Sequence, residues 1–329
     1  MEAIPPADGA RAARAGREGR PRVASDPLPS GTPVDYRFRS RLDRGEWVVS
    51  VEVDPPHGLD VERAIGVVAR LQAAGVDCVD AGDSPLASVR MSPVLFAVAV
   101  QQRTGVETII HFTSRDRNLM ALQSDLLGAH MLGVRSLIAL SGDPPILGRY
   151  ANATGVWDVK AEGLIELVAG LNAGHDSAGN DLGGQTAFTI ATAANPNAGD
   201  LATEITRLRA KAARGAHVFL TQPGFDAGAT ERFLERAAPI GLPVVLGVMP
   251  LVSERNARYV QANTPGISIG EAVIERLARA GEGAAEEGLA IATEYLQAVR
   301  PMCAGVYLIP MLNRFKGITE LVRRIKAAG

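Results

Sequence analysis

Short apolar runs alternate with longer helix-like stretches along most of this chain, beginning near Glu46. The runs are rich in β-branched residues and have the length of buried strands. The predicted strands are Trp47–Val53, Val76–Ala81, Glu107–His111, Ser136–Leu140, Ala187–Thr192, His217–Thr221, Pro243–Val248 and Gly305–Ile309. Helix-length segments lie between them at Val61–Ala74, Asn118–Leu132, Ala161–Ala173, Asp200–Arg214 and Ala227–Ala238.

Strands that alternate with helices of this length predict parallel βαβ units. Eight strands with about as many helices favour closure into a (β/α)8 TIM barrel over an open sheet. An open doubly wound sheet would favour a GxGxxG turn after its first strand, but Pro55-Pro56-His57-Gly58 follows Val53 here. We therefore expect a single barrel domain over residues 41–329.

Two connections are longer than the others. The first runs from Ser141 to about Lys160. The second lies between the seventh and eighth strands and holds three predicted helices, Asn256–Ala262, Glu271–Arg279 and Gly283–Val299. Because the loops that follow barrel strands lie at the C-terminal face, we expect both connections to border the functional site.

Composition narrows the class of protein. Residues 1–40 are rich in Pro, Gly, Ala and Arg, so we expect a disordered or extended tail there. The formal net charge of −2 gives no wide positive field for nucleic acid. No apolar run is long enough to span a bilayer or resembles a signal peptide, which predicts a cytoplasmic chain without membrane contact. Cys78, Cys303 and the scattered histidines show no disulfide or zinc spacing, so no metal is expected.

The first strand carries a carboxylate on its less apolar face. Trp47, Val49, Val51 and Val53 share one face, which we expect to pack against the helices. The opposite face then points into the lumen and carries Glu52 near the C-terminal end of the strand. A lumenal carboxylate at that end indicates catalysis, whereas the alternative is a structural carboxylate paired with a lumenal cation.

Polar residues recur where the other predicted strands end. These strand-end segments are Asp80-Ala81-Gly82-Asp83, His111-Phe112-Thr113, Ser141-Gly142-Asp143, Asn195-Pro196 and Thr221-Gln222. All of them would converge on one mouth of the barrel, which is the default place for a binding site.

Several of these segments resemble motifs of the methylenetetrahydrofolate reductase family. The ordered set is Val51-Glu52-Val53-Asp54-Pro55-Pro56, His111-Phe112-Thr113, Gly142-Asp143-Pro144-Pro145 and Thr221-Gln222-Pro223-Gly224-Phe225-Asp226. Each motif alone is weak, and their order at strand ends is what makes the likeness specific. It runs from about Val48 to Arg314.

A closer likeness is to the reductase half of bifunctional bacterial proteins that join a homocysteine S-methyltransferase to this barrel. The segments that carry it are Asp83-Ser84-Pro85-Leu86, His111 to Asn118 and Gly183-Gly184-Gln185-Thr186. A methyltransferase half does not fit in the forty residues before the barrel, and no zinc-binding cysteine cluster is present. We therefore do not expect homocysteine methyltransferase activity.

The resemblance implies a reaction and a set of substrate residues. NAD(P)H would reduce a bound flavin, and the flavin would pass a hydride to 5,10-methylenetetrahydrofolate to give 5-methyltetrahydrofolate. Glu52 matches the family's general acid and Asp143 an aspartate near the flavin and the pterin. Gln222 matches a residue that bonds folate, and Phe225 would stack on the substrate. The alternatives are an Asp-Pro turn cap for Asp143, a polar layer residue for Gln222 and loop packing for Phe225.

The resemblance also implies a site for FAD. His111 would lie beside the cofactor, and Leu140, Ser141 and Gly142 would offer backbone groups to its ring. Glu204 would bond sugar hydroxyls, while Arg207 and Lys211 would face the phosphates from one side of a helix. The alternative for these three helical residues is a solvated helix face. The electron donor would be NADH or NADPH, and the family likeness favours a homo-oligomer.

Five positions depart from the family pattern. They are Asp54 for a frequent Phe, Gly82 for a Thr, Ser141 for an Arg, Ala191 for a Tyr, and Tyr307-Leu308-Ile309-Pro310 for an aromatic-Thr pair. Such changes are compatible with weaker flavin binding or another electron donor. Two further hypotheses therefore stay open. One is a related reductase that uses another donor or a partner subunit without retained flavin, and the other is a folate- or pterin-binding barrel without reductase activity.

Overall fold

The computed structural model describes residues 32–264, 266–311 and 314–327. Within them, eight parallel strands close into a barrel in sequence order, and the last strand pairs with the first. The strands are β1 (Val48–Glu52), β2 (Cys78–Ala81), β3 (Glu107–Thr113), β4 (Ser136–Leu140), β5 (Thr189–Ala194), β6 (Val218–Pro223), β7 (Val244–Val248) and β8 (Gly305–Leu308). The predicted TIM barrel and its single-domain organisation are confirmed.

Helices surround the barrel and follow its strands. They are α1 (Phe38–Asp43), α2 (Glu62–Ala73), α3 (Pro93–Thr104), α4 (Leu119–Met131), α5 (Ala161–Ala173), α6 (Leu201–Ala213), α7 (Ala227–Ala237), α8 (Glu254–Asn263), α9 (Glu271–Ala280), α10 (Ala284–Val299) and α11 (Phe315–Ala327). Helices α8 to α10 form the long excursion between β7 and β8 and have an apolar cluster of their own around Leu251 and Ile274.

The segment before β1 covers the N-terminal end of the barrel. Phe38 is fully buried in the lumenal apolar cluster with Val48 and Cys78, at the N-terminal ends of the strands. Its backbone N–H donates to Glu107 Oε2 (2.7 Å), and the hydroxyl of Ser136 donates to Oε1 (2.7 Å). The predicted tail, residues 1–40, therefore extends too far toward the C-terminus. Residues 1–31 lie outside the described residues, whereas residues 32–40 pack on the barrel.

The alternation of side chains along β1 is as the sequence predicts. Val49, Val51 and Val53 belong to the apolar cluster that the strands form with the outer helices. Val48 belongs instead to the lumenal cluster, so the opposite parity points inward. This parity carries Ser50 and Glu52 into the lumen and sets the acidic side chain at its C-terminal end.

Candidate active site

Glu52 ends β1 and faces the barrel lumen, where it meets the neighbouring strand β8. The hydroxyl of Tyr307 donates a hydrogen bond to Glu52 Oε2. Strand register explains the contact, because Tyr307 pairs with Ser50, two residues before Glu52 on the same face. Tyr307 is only 6% exposed, so the contact lies inside the protein.

The surroundings of Glu52 favour its protonated form. Burial raises the pKa of Glu52 well above its usual range, and the negative charges of Asp54 and Asp80 raise it further. The positive charge of Arg90 acts in the opposite direction but is the smallest contribution. These surroundings thus favour the protonated form of Glu52, which is the form a general acid needs.

Asp54 follows Glu52 at the mouth and is held by a cation. Arg90 Nη2 lies 3.1 Å from Asp54 Oδ2. Burial raises the pKa of Asp54, while Arg90 and His57 lower it. The other oxygen, Oδ1, is buried without a hydrogen-bond partner among the described residues and lies beside Gly82, where an added Cβ would be 2.6 Å from it. Gly82 thus leaves the space that Asp54 occupies.

Asp80 and His111 form a second buried pair in the lumen. Ser50 donates a hydrogen bond to Asp80 Oδ2, and Asp80 Oδ1 lies 4.0 Å from His111 Nε2. Burial, followed by the charge of Glu107, raises the pKa of Asp80 well above its usual range. Burial lowers the pKa of His111 to about 4. Asp80 Oδ1 and His111 Nε2 are buried and have no hydrogen-bond partner among the described residues, which is unusual for buried polar atoms.

Asp143 lies in the loop after β4 and is bound to the loop after β2. Its Oδ2 accepts a hydrogen bond from the backbone N–H of Leu86 (2.8 Å), and its carbonyl accepts from Arg115 Nη1 (3.4 Å). Leu86 has a φ of 51°, in the left-handed region that non-glycine residues rarely adopt. Among the described residues, no hydrogen bond or ion pair joins Asp143 to Glu52, although both lie on the C-terminal side of the barrel.

The backbone after β4 is already engaged by its own protein. Leu140 O accepts from Ser114 N (3.1 Å), and Ser141 O accepts from Trp157 Nε1 (2.8 Å). The Ser141 hydroxyl accepts from Ala161 N (3.1 Å) at the start of α5. A carbonyl oxygen has two lone pairs, so each of the two carbonyls still has room for a second donor.

Gly142 meets a requirement that no other residue would satisfy here. Its φ is 83°, and an added Cβ would lie 2.9 Å from the Cβ of Arg115 and 3.0 Å from that of Thr113. The loop after β4 therefore approaches the end of β3 more closely than a side chain would allow. This close approach holds Asp143 against the loop after β2.

The three α6 residues predicted to contact a cofactor divide into two groups. Glu204 is buried and accepts from Asn195 N (2.9 Å), and Lys211 Nζ donates to Ala193 O (2.7 Å). Both therefore hold the end of β5. Burial lowers the pKa of Lys211. The side chain of Arg207 is 65% exposed and its Nη1 lies 4.0 Å from Glu204 Oε2, which leaves it free to turn toward an anion.

Gln222 lies near the end of β6 and Phe225 just after it, and the two face different surroundings. The pairing of β6 with β7 is irregular between Leu220 and Pro223, and this irregularity displaces Gln222 at the mouth. Gln222 is partly buried there, close to Gly266. Phe225 packs on the α8–α10 cluster. The packing of Phe225 therefore matches the loop-packing alternative, and a contact with substrate stays a prediction.

Sequence reasoning missed two residues of this site. Tyr307 was noted only as a departure from the family pattern, and Asp80 only as one of several strand-end polar residues. The period of two along β8 and β2 is the signal that could have placed both in the lumen. Within the described ranges, no group of three or more His, Cys, Asp or Glu side chains is placed to hold a metal ion.

A second cavity lies outside the barrel lumen. This cavity of about 750 Å³ lies among α2, α10, α11 and the segments that follow β7 and β8, and none of the lumenal acids lines it. None of the helices in the described parts of the chain has the length and apolar character to cross a bilayer. The unpartnered lumenal atoms make the barrel mouth, rather than this outer cavity, the better candidate for chemistry.

A solved structure shares the fold of this chain. An uncharacterized protein from Clostridium thermocellum, described as binding two copies of 5-methyl-5,6,7,8-tetrahydrofolic acid, shares the fold with a TM-score of 0.67 at 13% identity. The likeness covers 89% of this chain and all of that one. At this identity the match shows the fold alone.

Two curated relatives are similar in sequence. A probable methylenetetrahydrofolate reductase (NADPH) from Caenorhabditis elegans is 25% identical over 236 residues, which cover 68% of this chain and 33% of that protein. A 5,10-methylenetetrahydrofolate reductase from Pectobacterium carotovorum subsp. carotovorum is 26% identical over 215 residues, or 63% and 65% of the two chains. The matched region thus spans less than two thirds of either relative.

The family model described as methylenetetrahydrofolate reductase matches residues 37–326, nearly all of the barrel. The finer likeness to the reductase half of bifunctional proteins stays a prediction. This match, together with the order of the strand-end motifs, places the chain in the methylenetetrahydrofolate reductase family.

Proposed function

We propose that this chain reduces 5,10-methylenetetrahydrofolate to 5-methyltetrahydrofolate with electrons from NAD(P)H. The observation that carries the proposal is Glu52, a carboxyl group at the C-terminal end of β1 that faces the lumen and whose raised pKa favours its protonated form. Family membership, the names of both relatives and the folate bound by the Clostridium protein support the substrate class. The name of the C. elegans relative favours NADPH as the donor.

Glu52 would act on the methylene bridge before any hydride arrives. Its proton goes to N10 of the folate, the bond between the methylene carbon and N10 breaks, and the electron pair of that bond stays on N10. The methylene carbon becomes an iminium at N5 and accepts the hydride, which gives the N5-methyl group. Glu52 is left as a carboxylate and regains a proton from solvent.

The other mouth residues would bind and orient the folate. Gln222 offers one amide donor and one acceptor, which suits a pterin edge. Asp143 brings negative charge toward the same ring system, and the bond from Leu86 fixes its orientation. The unpartnered atoms Asp80 Oδ1 and His111 Nε2 lie deeper in the lumen and would meet polar atoms of the ligand.

We propose FAD as the hydride carrier, because the residues present fit it in most respects. His111 and the backbone of residues 140–142 would hold the ring, with the unpartnered His111 Nε2 as the observation in favour. Arg207 is exposed enough to reach a phosphate, and Glu204 and Lys211 lie near it on α6. When bound, a flavin separates the oxidation of NAD(P)H from the reduction of folate.

One specific observation favours the alternative of a reductase without retained flavin. Lys211 Nζ bonds to Ala193 O, and Ser141 O already accepts from Trp157, so two of the predicted flavin contacts serve the protein itself. Lys211 would have to release the carbonyl to reach a phosphate. Electrons would then pass to the folate directly from the nicotinamide or from another donor.

An anaerobic absorption spectrum of the purified protein, recorded before and after NADPH and then methylenetetrahydrofolate, tests the proposal. A flavin spectrum that bleaches with NADPH and recovers with folate supports the flavin route. A colourless protein that still consumes NADPH with folate supports the flavin-free route. Folate binding without NADPH or NADH consumption contradicts an NAD(P)H-dependent reductase and leaves a folate-binding barrel or a reductase with another electron donor.

We also propose that the chain forms a homo-oligomer. The outer faces of α3 and α4 support this, because they expose Leu95, Met120 and Met131 to solvent. Size-exclusion chromatography with light scattering measures the mass directly. A monomer at micromolar concentration would contradict the proposal.

A further inference from the structure

Tyr307 on β8 contacts the proposed acid Glu52 across the seam between β8 and β1. Its ring belongs to the lumenal apolar cluster, and its hydroxyl reaches the carboxyl group of Glu52. The ring also meets His111 edge to face, with centroids 6.1 Å apart and planes inclined by 62°. Packing on one side and a hydrogen bond on the other hold the phenol in a single orientation.

We propose that Tyr307 is a positioning residue that holds Glu52 Oε2, leaves Oε1 to carry the proton toward the folate, and stabilises the carboxylate after the proton has left. The inference rests on the proposed acid role of Glu52. It assigns the phenol a part in the reaction cycle, beyond filling space in the barrel.

The need for a donor follows from the charges that surround Glu52. Loss of its proton creates a negative charge in a region that already contains Asp54, just after β1, and Asp80, on β2. A buried carboxylate without a donor is costly, and a hydrogen bond to an ionised group is stronger than one to a neutral group. A donor on Oε2 would therefore stabilise the ionised state of Glu52 more than the protonated state.

Two other donors that face this region, Arg90 and Ser50, already have acidic partners. Arg90 binds Asp54 at 3.1 Å, and Ser50 donates to Asp80. His111, whose pKa of about 4 keeps it neutral, directs Nε2 toward Asp80. Among the described residues, Tyr307 supplies the hydrogen bond donated to Glu52.

The substitution Tyr307→Phe separates positioning from packing, because it keeps the ring and removes the hydroxyl. We expect kcat for folate reduction to fall by about tenfold or more, with KM for folate changed less than about twofold. Without the donor the carboxylate loses stabilisation, so the pKa of Glu52 rises and the alkaline limb of the kcat profile moves up by about one pH unit.

A matched control is available in Tyr295. It is also 6% exposed, but its hydroxyl pairs with Thr230 (2.8 Å) in the contact between α7 and α10. Tyr295→Phe removes a buried phenol hydroxyl of similar burial from a place outside the lumen. We expect it to leave the pH profile in place even if the protein is less stable.

A direct titration of Glu52 separates this inference from the proposed activity. Infrared difference spectra of the full chain follow the C=O stretch of the protonated carboxyl group, assigned by its loss in Glu52→Gln. In Tyr307→Phe the band should persist to higher pH than in the unmodified chain. With 3-fluorotyrosine at position 307, a stronger donor, it should disappear at lower pH, and this second variant decides the matter if Tyr307→Phe does not fold.

The outcomes are distinct. Opposite shifts in the two variants support a hydrogen bond that acts on the ionised carboxyl group, which a space-filling role would not produce. An unmoved Glu52 band in both variants overturns the inference. Shifted bands in a protein that never reduces folate leave the positioning contact standing and refute the proposed reaction instead.

Discussion

Asp54 occupies the space that a side chain at Gly82 would need. An added Cβ at position 82 would lie 2.6 Å from Asp54 Oδ1, and the opposite oxygen is held by Arg90 at 3.1 Å. Both positions depart from the family resemblance described above, and in the structure they are in contact. Asp54, just after β1, and Gly82, just after β2, therefore depend on each other. The aspartate fits in this place because position 82 has no side chain.

The substitution Gly82→Ala should displace Asp54 and weaken its ion pair with Arg90. We expect a loss of about 1–3 kcal/mol in the free energy of unfolding, because the methyl group enters a packed region. Urea denaturation measures it. In Gly82→Ala combined with Asp54→Ala the clash is gone, so the added cost should disappear relative to Asp54→Ala alone. Gly58→Ala, at a glycine with nothing within 4 Å, is the matched control; an equal loss there would refute the pairing.

Glu52→Gln should separate the two halves of the proposed reaction. The amide keeps the size of the side chain but has no acidic proton, so folate reduction should fall by about 10²–10⁴-fold. Oxidation of NADPH by an artificial acceptor should be retained, because that step needs no proton on N10. Single-turnover measurements of each half follow the two rates. Equal loss of both would count against the acid role.

The stability of the protein should depend on pH through Asp80. Its raised pKa means that the folded state binds more protons than the unfolded state above about pH 4, so stability is full below that pH and is lost as pH rises through the folded pKa. Asp80→Asn can still accept from Ser50 and removes the titration. Urea unfolding between pH 4 and 9 should show a flatter dependence in Asp80→Asn. If the free energy of unfolding depends on pH in the same way in both proteins, the inference that burial raises the pKa of Asp80 is wrong.

Arg207 tests the proposed cofactor site without disturbing the fold. Its side chain is 65% exposed, so Arg207→Ala should leave the melting temperature within about 2 °C. Loss of a charge-assisted contact with a phosphate should weaken flavin retention by about five- to tenfold, measured from absorbance near 450 nm after dialysis. Arg209→Ala, another exposed arginine on α6, should have no effect. Equal retention in both variants would remove Arg207 from the site.

The barrel and its inward faces could be predicted because they follow from local patterns. Alternation of apolar residues placed Glu52 in the lumen correctly, and helix α5 begins and ends where the sequence predicts. Strand β5 is shifted by two residues from its predicted position, since Thr189 to Ala194 are all small or β-branched and give no sharp boundary. Phe38 was assigned to the tail because prolines and arginines dominate its surroundings.

The partners of the site residues could not be predicted, because they depend on which strands become neighbours. Tyr307 reaches Glu52 only when β8 closes on β1, a contact between positions 255 residues apart in sequence. The bond from Lys211 to Ala193 similarly depends on how α6 lies against β5. The alternation along a strand predicts which face of the strand a side chain occupies. Closure of the barrel determines which of these side chains come into contact.

Phe38 fills the N-terminal end of the lumen in the described part of the chain, so we expect Glu52 to be reached from the C-terminal mouth. The nicotinamide and the folate must then approach Glu52 from the same side. If a bound carrier stores the hydride, the two can take turns, and double-reciprocal plots at several fixed donor concentrations should be parallel. If no carrier is held, both must be present together, and those lines should intersect. Because Phe38 fills the opposite end of the lumen, the pattern of these plots would show whether the electrons pass through a bound carrier.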